Sequence, residues 1–69
     1  MYFRIEADLI MLADDREIAA DNERLLAKGS DNPEVAEMHL ENAAECAEIA
    51  EVYRRMAKHA RELYEQYGG

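Results

Sequence analysis

Two histidines, one cysteine and a spaced row of carboxylates are the residues of this 69-residue chain best suited to chemistry. Asp8, Asp15 and Asn22 recur every seven residues, which on a helix places neighbours two turns, about 10.5 Å, apart. That separation is too large for two carboxylates to share a proton or one metal ion. His39 and His59 would stand about 30 Å apart along a single helix and could meet only across two copies of the chain. Neither completes the Glu-x-x-His of di-metal bundles, because Ala36 and Met56 occupy the positions three residues before them. Two histidines alone make a weak zinc site. Cys46 is the only cysteine, so an intrachain disulfide is excluded. At an apolar position it reads as a small buried side chain suited to a reducing, cytoplasmic compartment. No Ser/His/Asp or Cys/His arrangement has a supporting loop, and no glycine-rich stretch could cradle phosphate. The expectation is a protein that is not an enzyme and holds no cofactor or metal.

The elements that position these residues read as two helices. From about Arg4 to Lys28, Ile5, Leu9, Leu12, Ala19 and Leu26 form a stripe joined by Met11, Ile18 and Leu25. Gly29 stands where a left-handed residue closes a helix, with Lys28 at the negative end of its dipole. Ser30 and Asp31 then lead to Asn32 as N-cap and Pro33 at the first helical position. A second helix is expected over about 33–67, and a turn of residues 29–32 forces the two to run antiparallel. The fold class is therefore all-α, one helical-hairpin domain over 1–69.

The second helix carries a heptad pattern: His39, Cys46, Tyr53, Ala60 and Tyr67 alternate with Val35, Asn42, Ile49, Met56 and Leu63, flanked by Ala43, Ala50 and Ala57. The first helix, about 37 Å long, cannot cover the second, about 52 Å long. A chain this short also buries only about 60% of its surface, so a second copy is the remaining source of core. The expectation is a homodimer forming a four-helix bundle through Ile49, Tyr53, Met56, Ala60, Leu63, Tyr64 and Tyr67. Asp8, Asp15 and Asn22 fall in the middle of the first helix's apolar stripe, where pairing of Asp8 with Arg54 or Arg55, and register-setting by Asn22, would satisfy them.

Sixteen acidic and eight basic residues give a formal charge of −8. Direct binding to nucleic acid or to an anionic membrane is disfavoured, and the natural partner is a basic protein, such as a DNA-binding regulator. The N-terminal stretch has acidic residues where a signal peptide needs an apolar core, and no apolar run approaches the roughly 20 residues of a membrane span. Residues 33–51 hold Glu34, Glu37, Glu41, Glu45, Glu48 and Glu51 without a cation, followed by Arg54, Arg55, Lys58 and Arg61. Such a division would suit antiparallel pairing of second helices about a two-fold axis. Two surfaces are candidates for a partner. The first helix offers Phe3, Ile10, Asp14, Glu17 and Asp21 as an acidic patch with an apolar knob. The second offers Glu37, Glu41 and Glu48, the surface expected of a general DNA mimic. A structural bundle subunit is a further alternative.

Taken whole, the acidic hairpin, the turn Lys28-Gly29-Ser30-Asp31-Asn32-Pro33 and the overlong second helix resemble the small helical proteins with which phages disable host functions, the anti-quorum-sensing protein of Pseudomonas phages among them. That resemblance implies a dimer in the host cytoplasm that binds a quorum-sensing transcription regulator, blocks its DNA binding and also inhibits a type IV pilus assembly ATPase. It carries no functional residue across.

Overall fold

The computed structural model describes residues 2–68, with side chains from Arg4 to Tyr67. The chain forms α1 (Tyr2–Lys28), α2 (Pro33–Leu63) and a π-helical turn, Tyr64–Gly68, that continues α2. No strand occurs among the described residues, and the all-helical hairpin is as the periodicity predicts. Helix α1 begins two residues earlier than Arg4, and the regular part of α2 ends four residues before Tyr67. At that end the Tyr64 amide still donates to the carbonyls of Ala60 and Arg61 with helical backbone angles. The helix therefore continues past Leu63 without breaking.

The connection between the helices is held by short polar residues. The Asn32 side chain accepts from the Glu34 amide at 2.9 Å, and its extended backbone lets Pro33 open α2 without loss of a donor. Ser30 Oγ donates to the Asn32 carbonyl and accepts from the Asn32 amide, each at 3.2 Å. Gly29 corrects the expectation of a left-handed terminus. Its backbone stays outside the left-handed region, and a Cβ built there would meet only the Leu25 carbonyl oxygen at 3.6 Å. Its amide bonds that carbonyl at 3.0 Å and Ser30 bonds Ala27 at 3.3 Å, so α1 ends by tightening its last turn.

What lies between the helices is alanine. Ala13, Ala20 and Ala27 of α1 and Ala43, Ala50, Ala57 and Ala60 of α2 are the buried apolar residues, and no large side chain is fully enclosed. Each helix thus carries alanine every seventh residue, the repeat that keeps one face against an antiparallel neighbour. Side chains this small bring helix axes toward the short end of the usual 8–10 Å range. The His39/Cys46/Tyr53 row expected at the seam lies at its half-buried edge, and Ile49 and Met56 lie outside it. Ala60, expected to lack cover within the chain, is only 5% exposed. The reason is register: Arg61 pairs with Glu6, and Ala60 lines one groove with Ile5 and Leu9, nearer the start of α1 than counting back from the turn suggests. Leu63 is half-buried, whereas Tyr64 and Tyr67 remain exposed.

The molecule is 54 × 13 × 10 Å with a radius of gyration of 15.8 Å, against about 11 Å for a globular chain of this length. It is a two-helix slab. Enlarging a seam residue should wedge the slab open: Ala50→Leu is expected to lower stability by about 1–3 kcal/mol in urea unfolding, while Ala44→Leu, at an exposed position of the same helix, stays within about 0.5 kcal/mol.

Candidate interaction surfaces

With alanine at the seam, the remaining rows of each helix sort onto two flanks and two backs, and the flanks differ in chemistry. One flank is closed by ion pairs. Arg54 reaches from α2 to Glu17 at 2.8 and 3.0 Å and to Asp14 at 3.1 Å, bridging two turns of α1. Arg61 approaches Glu6 at 3.5 Å and Glu65 at 3.2 Å. Glu6 precedes Ala13 by seven residues and so takes the next place in the seam row, where its side chain is only 14% exposed. Arg24 and Asp21 pair along α1 at 2.7 Å. These pairs set register more than they stabilise, because exposed pairs contribute at most about 1 kcal/mol.

Three sequence expectations change here. Asp14 and Glu17 turn toward Arg54 and do not belong to an open outer face, and Asp21 is tied to Arg24. Ile10 is exposed beside them; the Phe3 side chain lies outside the described residues. Arg54 serves Asp14 and Glu17 in place of Asp8, and Asp8, Asp15 and Asn22 are all exposed on the side of α1 away from α2. Of the apolar stripe that surrounds them, Met11, Ile18 and Leu25 share this outward side, whereas Ile5, Leu9, Leu12 and Leu26 lie toward the flank shared with α2. Arg54 and Arg61 are engaged within the hairpin, which leaves Arg55 and Lys58 for any pairing of one α2 with another.

The other flank is apolar along most of its length. Ile5, Leu12 and Leu26 of α1 run beside Val35, Ile49, Val52 and Met56 of α2, all more than a third exposed. Toward the open end this face deepens into a groove lined by Ile5, Leu9, Val52, Met56, Ala60 and Leu63, with Arg55 and His59 also at its wall. Toward the turn it carries one polar set. His39 Nδ1 and Glu23 Oε2 lie 2.6 Å apart, and the Asn42 amide donates to the same oxygen at 3.5 Å. Glu23 and His39 are each about a quarter exposed or less. This set holds the register expected of Asn22, one residue along. A sequence signal for it exists: Glu23 stands six residues before Gly29, and His39 stands six after Pro33.

The back of α2 bears Glu34, Glu41, Glu45 and Glu48, with Glu37 and Glu51 at its margin, all exposed and, among the described residues, without ion pairs. The back of α1 bears Met11, Ile18 and Leu25. Among the described residues no three of His, Cys, Asp and Glu cluster as a metal site, and Cys46 is a half-buried free thiol. No helix is long and apolar enough to cross a membrane. No protein-family model, curated protein or solved structure matches the chain.

The two polar arrangements should respond unequally to truncation. Glu23→Ala removes the acceptor shared by His39 and Asn42 at a partly buried site and is expected to lower stability by about 1–3 kcal/mol. Asp21→Ala, which breaks an exposed pair, should change it by less than about 1 kcal/mol. Chemical denaturation of both variants at equal protein concentration checks the order.

Proposed function

We propose that the chain is a homodimeric protein-interaction module. Two hairpins stack apolar flank on apolar flank as a four-helix bundle and hold an acidic exterior toward a basic protein. The observation that carries this reading is that the hairpin encloses alanine and leaves every isoleucine, methionine and valine of the described residues more than a third exposed. The apolar flank spans both helices and is continuous, as a bundle interior must be. Side chains already half covered gain about 1 kcal/mol each when a second copy completes their burial. Of the interface residues expected from sequence, Ile49, Met56 and Leu63 lie on this flank and Tyr53 at its edge. Ala60 contributes to the groove wall from beneath.

The partner is a protein with a basic surface, and the DNA-binding regulator named by the resemblance falls in that class, since binding DNA requires such a face. Binding there would act by occlusion, with charge steering association and apolar side chains holding the complex. The glutamate-rich back of α2 favours a second reading, a general DNA mimic acting through Glu37, Glu41 and Glu48. Charge density argues against it: six glutamates from 34 to 51 give one charge per about 5 Å of helix, against one per about 1.7 Å along duplex DNA.

Sedimentation equilibrium tests the proposal directly. The wild-type chain should run as a dimer, and Met56→Glu or Ile49→Glu should run as a monomer with a lowered midpoint of thermal unfolding, since each buries a carboxylate in an apolar interface. A folded wild-type monomer whose mass is independent of concentration overturns the proposal.

A further inference from the structure

Met11, Ile18 and Leu25 are 64%, 59% and 67% exposed, and among the large aliphatic side chains of the described residues they are the three most open to solvent. Each stands two residues before a seam alanine, Ala13, Ala20 or Ala27, which turns it about 200° round α1 from the contact with α2. Ile5, Leu12 and Leu26, on the apolar flank, are only about 100° round. A second copy seated on the flank therefore leaves the ridge open. It runs about 21 Å along α1 with a strict seven-residue step.

At helical spacing three or four from the ridge residues every charged side chain is an aspartate except Lys28, which stands three residues beyond Leu25 at the end of the helix. Every aspartate of α1 is a neighbour of a ridge residue at helical spacing three or four: Asp8 and Asp15 on one side, Asp14 and Asp21 on the other. Every glutamate of α1 reaches to α2, Glu6 to Arg61, Glu17 to Arg54 and Glu23 to His39, and of the aspartates only Asp14 does so. Aspartate is the poorer helix former of the two, so its use along one side of a helix is not a matter of helix stability. Its short side chain keeps the carboxylate beside the ridge. Asp14 and Asp21 have intrachain partners at 3.1 and 2.7 Å. Asp8 and Asp15 have no ion pair with any described residue.

We infer that the outer ridge of α1, Met11, Ile18 and Leu25 with the unpaired Asp8 and Asp15 along one side, is the docking surface for a basic amphipathic helix of another protein. The occupant carries an apolar stripe at seven-residue spacing, which packs along the ridge, and Lys or Arg on one margin, which meet the unpaired Asp8 and Asp15. A second copy of this chain is a poor occupant, because α1 against α1 would set Asp8 and Asp15 of one against those of the other, and like charges repel. A ridge of three side chains also falls short of the roughly 800 Å² per partner of a standard interface, whereas the two ridges of a two-fold dimer can act together on a dimeric partner. The inference rests on the reading of the chain as an interaction module and adds the chemistry of its partner.

The probe is a 21-residue synthetic helix with leucine at positions a and d and lysine at e and g, whose lysines keep it from pairing with itself. Binding is read by fluorescence anisotropy at two salt concentrations, with sedimentation run on every variant. Wild-type dimer should bind the peptide. Ile18→Glu and Leu25→Ser should weaken binding tenfold or more while the dimer and its helix content persist. The pair Asp8→Asn with Asp15→Asn should weaken it several-fold and flatten its salt dependence. The inference is overturned if a peptide with glutamate at e and g binds equally well, or if a scrambled peptide of the same composition does. It also falls if Ile18→Glu leaves binding unchanged or dissociates the dimer, which would make the ridge the self-association face. Peptide binding by a chain that proves monomeric would sink the dimer and leave the ridge standing.

Discussion

Contact between two helices whose buried apolar residues are all alanine is the constraint on which the rest of this structure depends. A methyl group contributes little burial, so the seam supplies closeness and fixed orientation more than it supplies stability. Closeness has a geometric cost, because helices drawn together on their smallest residues leave no interior for larger ones. Leucine, isoleucine and methionine are then displaced to the flank and the backs. The same small interior explains why the molecule is a slab 10 Å thick. Exposure of large apolar side chains is thus a property built into the hairpin and not a defect of its packing.

Given that seam, polar side chains decide which rotation and register the helices keep. Alanine rows repeat without distinguishing one step from the next, and a slip of seven residues would match alanine to alanine equally well. Arg54 spanning Asp14 and Glu17, Arg61 over Glu6, and Glu23 with His39 and Asn42 are unique pairings that a slip would break. They stand at three levels along the hairpin, so each removes a different alternative. The set at Glu23 also interrupts the apolar flank on the turn side, which gives that face an orientation along its length.

The hairpin itself was legible in the sequence. Asn32-Pro33 marks a helix start by hydrogen-bonding chemistry that does not depend on tertiary context, and the short connection leaves one geometry. The facing of the helices was less legible. Hydropathy weights leucine and isoleucine above alanine, so Ala13, Ala20 and Ala27 read as filler beside Ile5, Leu12 and Leu26, and the heptad of α2 was centred one row away from Ala43, Ala50 and Ala57. Helix α1, with apolar residues on several sides, offers periodicity little to choose between. From that error follows the misplacement of Asp8, Asp15 and Asn22, which share a face with the apolar stripe as expected but not with α2. The acidic patch dissolved for a different reason: Asp14 and Glu17 have a partner 37 to 40 residues away in sequence, and such a pairing becomes visible only once the register is known.

The turn has a kinetic meaning as well as a geometric one. Ser30 and Asn32 close the two helices over a connection of four residues, so the first interhelical contacts incur little loop-closure entropy, and each later alanine step adds one more rung from a neighbour already formed. Contacts near residues 27 and 36 therefore close the shortest loops, and those at the open end, where the groove of Ile5, Leu9 and Met56 lies, close the longest. The face most in need of cover is the one that the turn helps least.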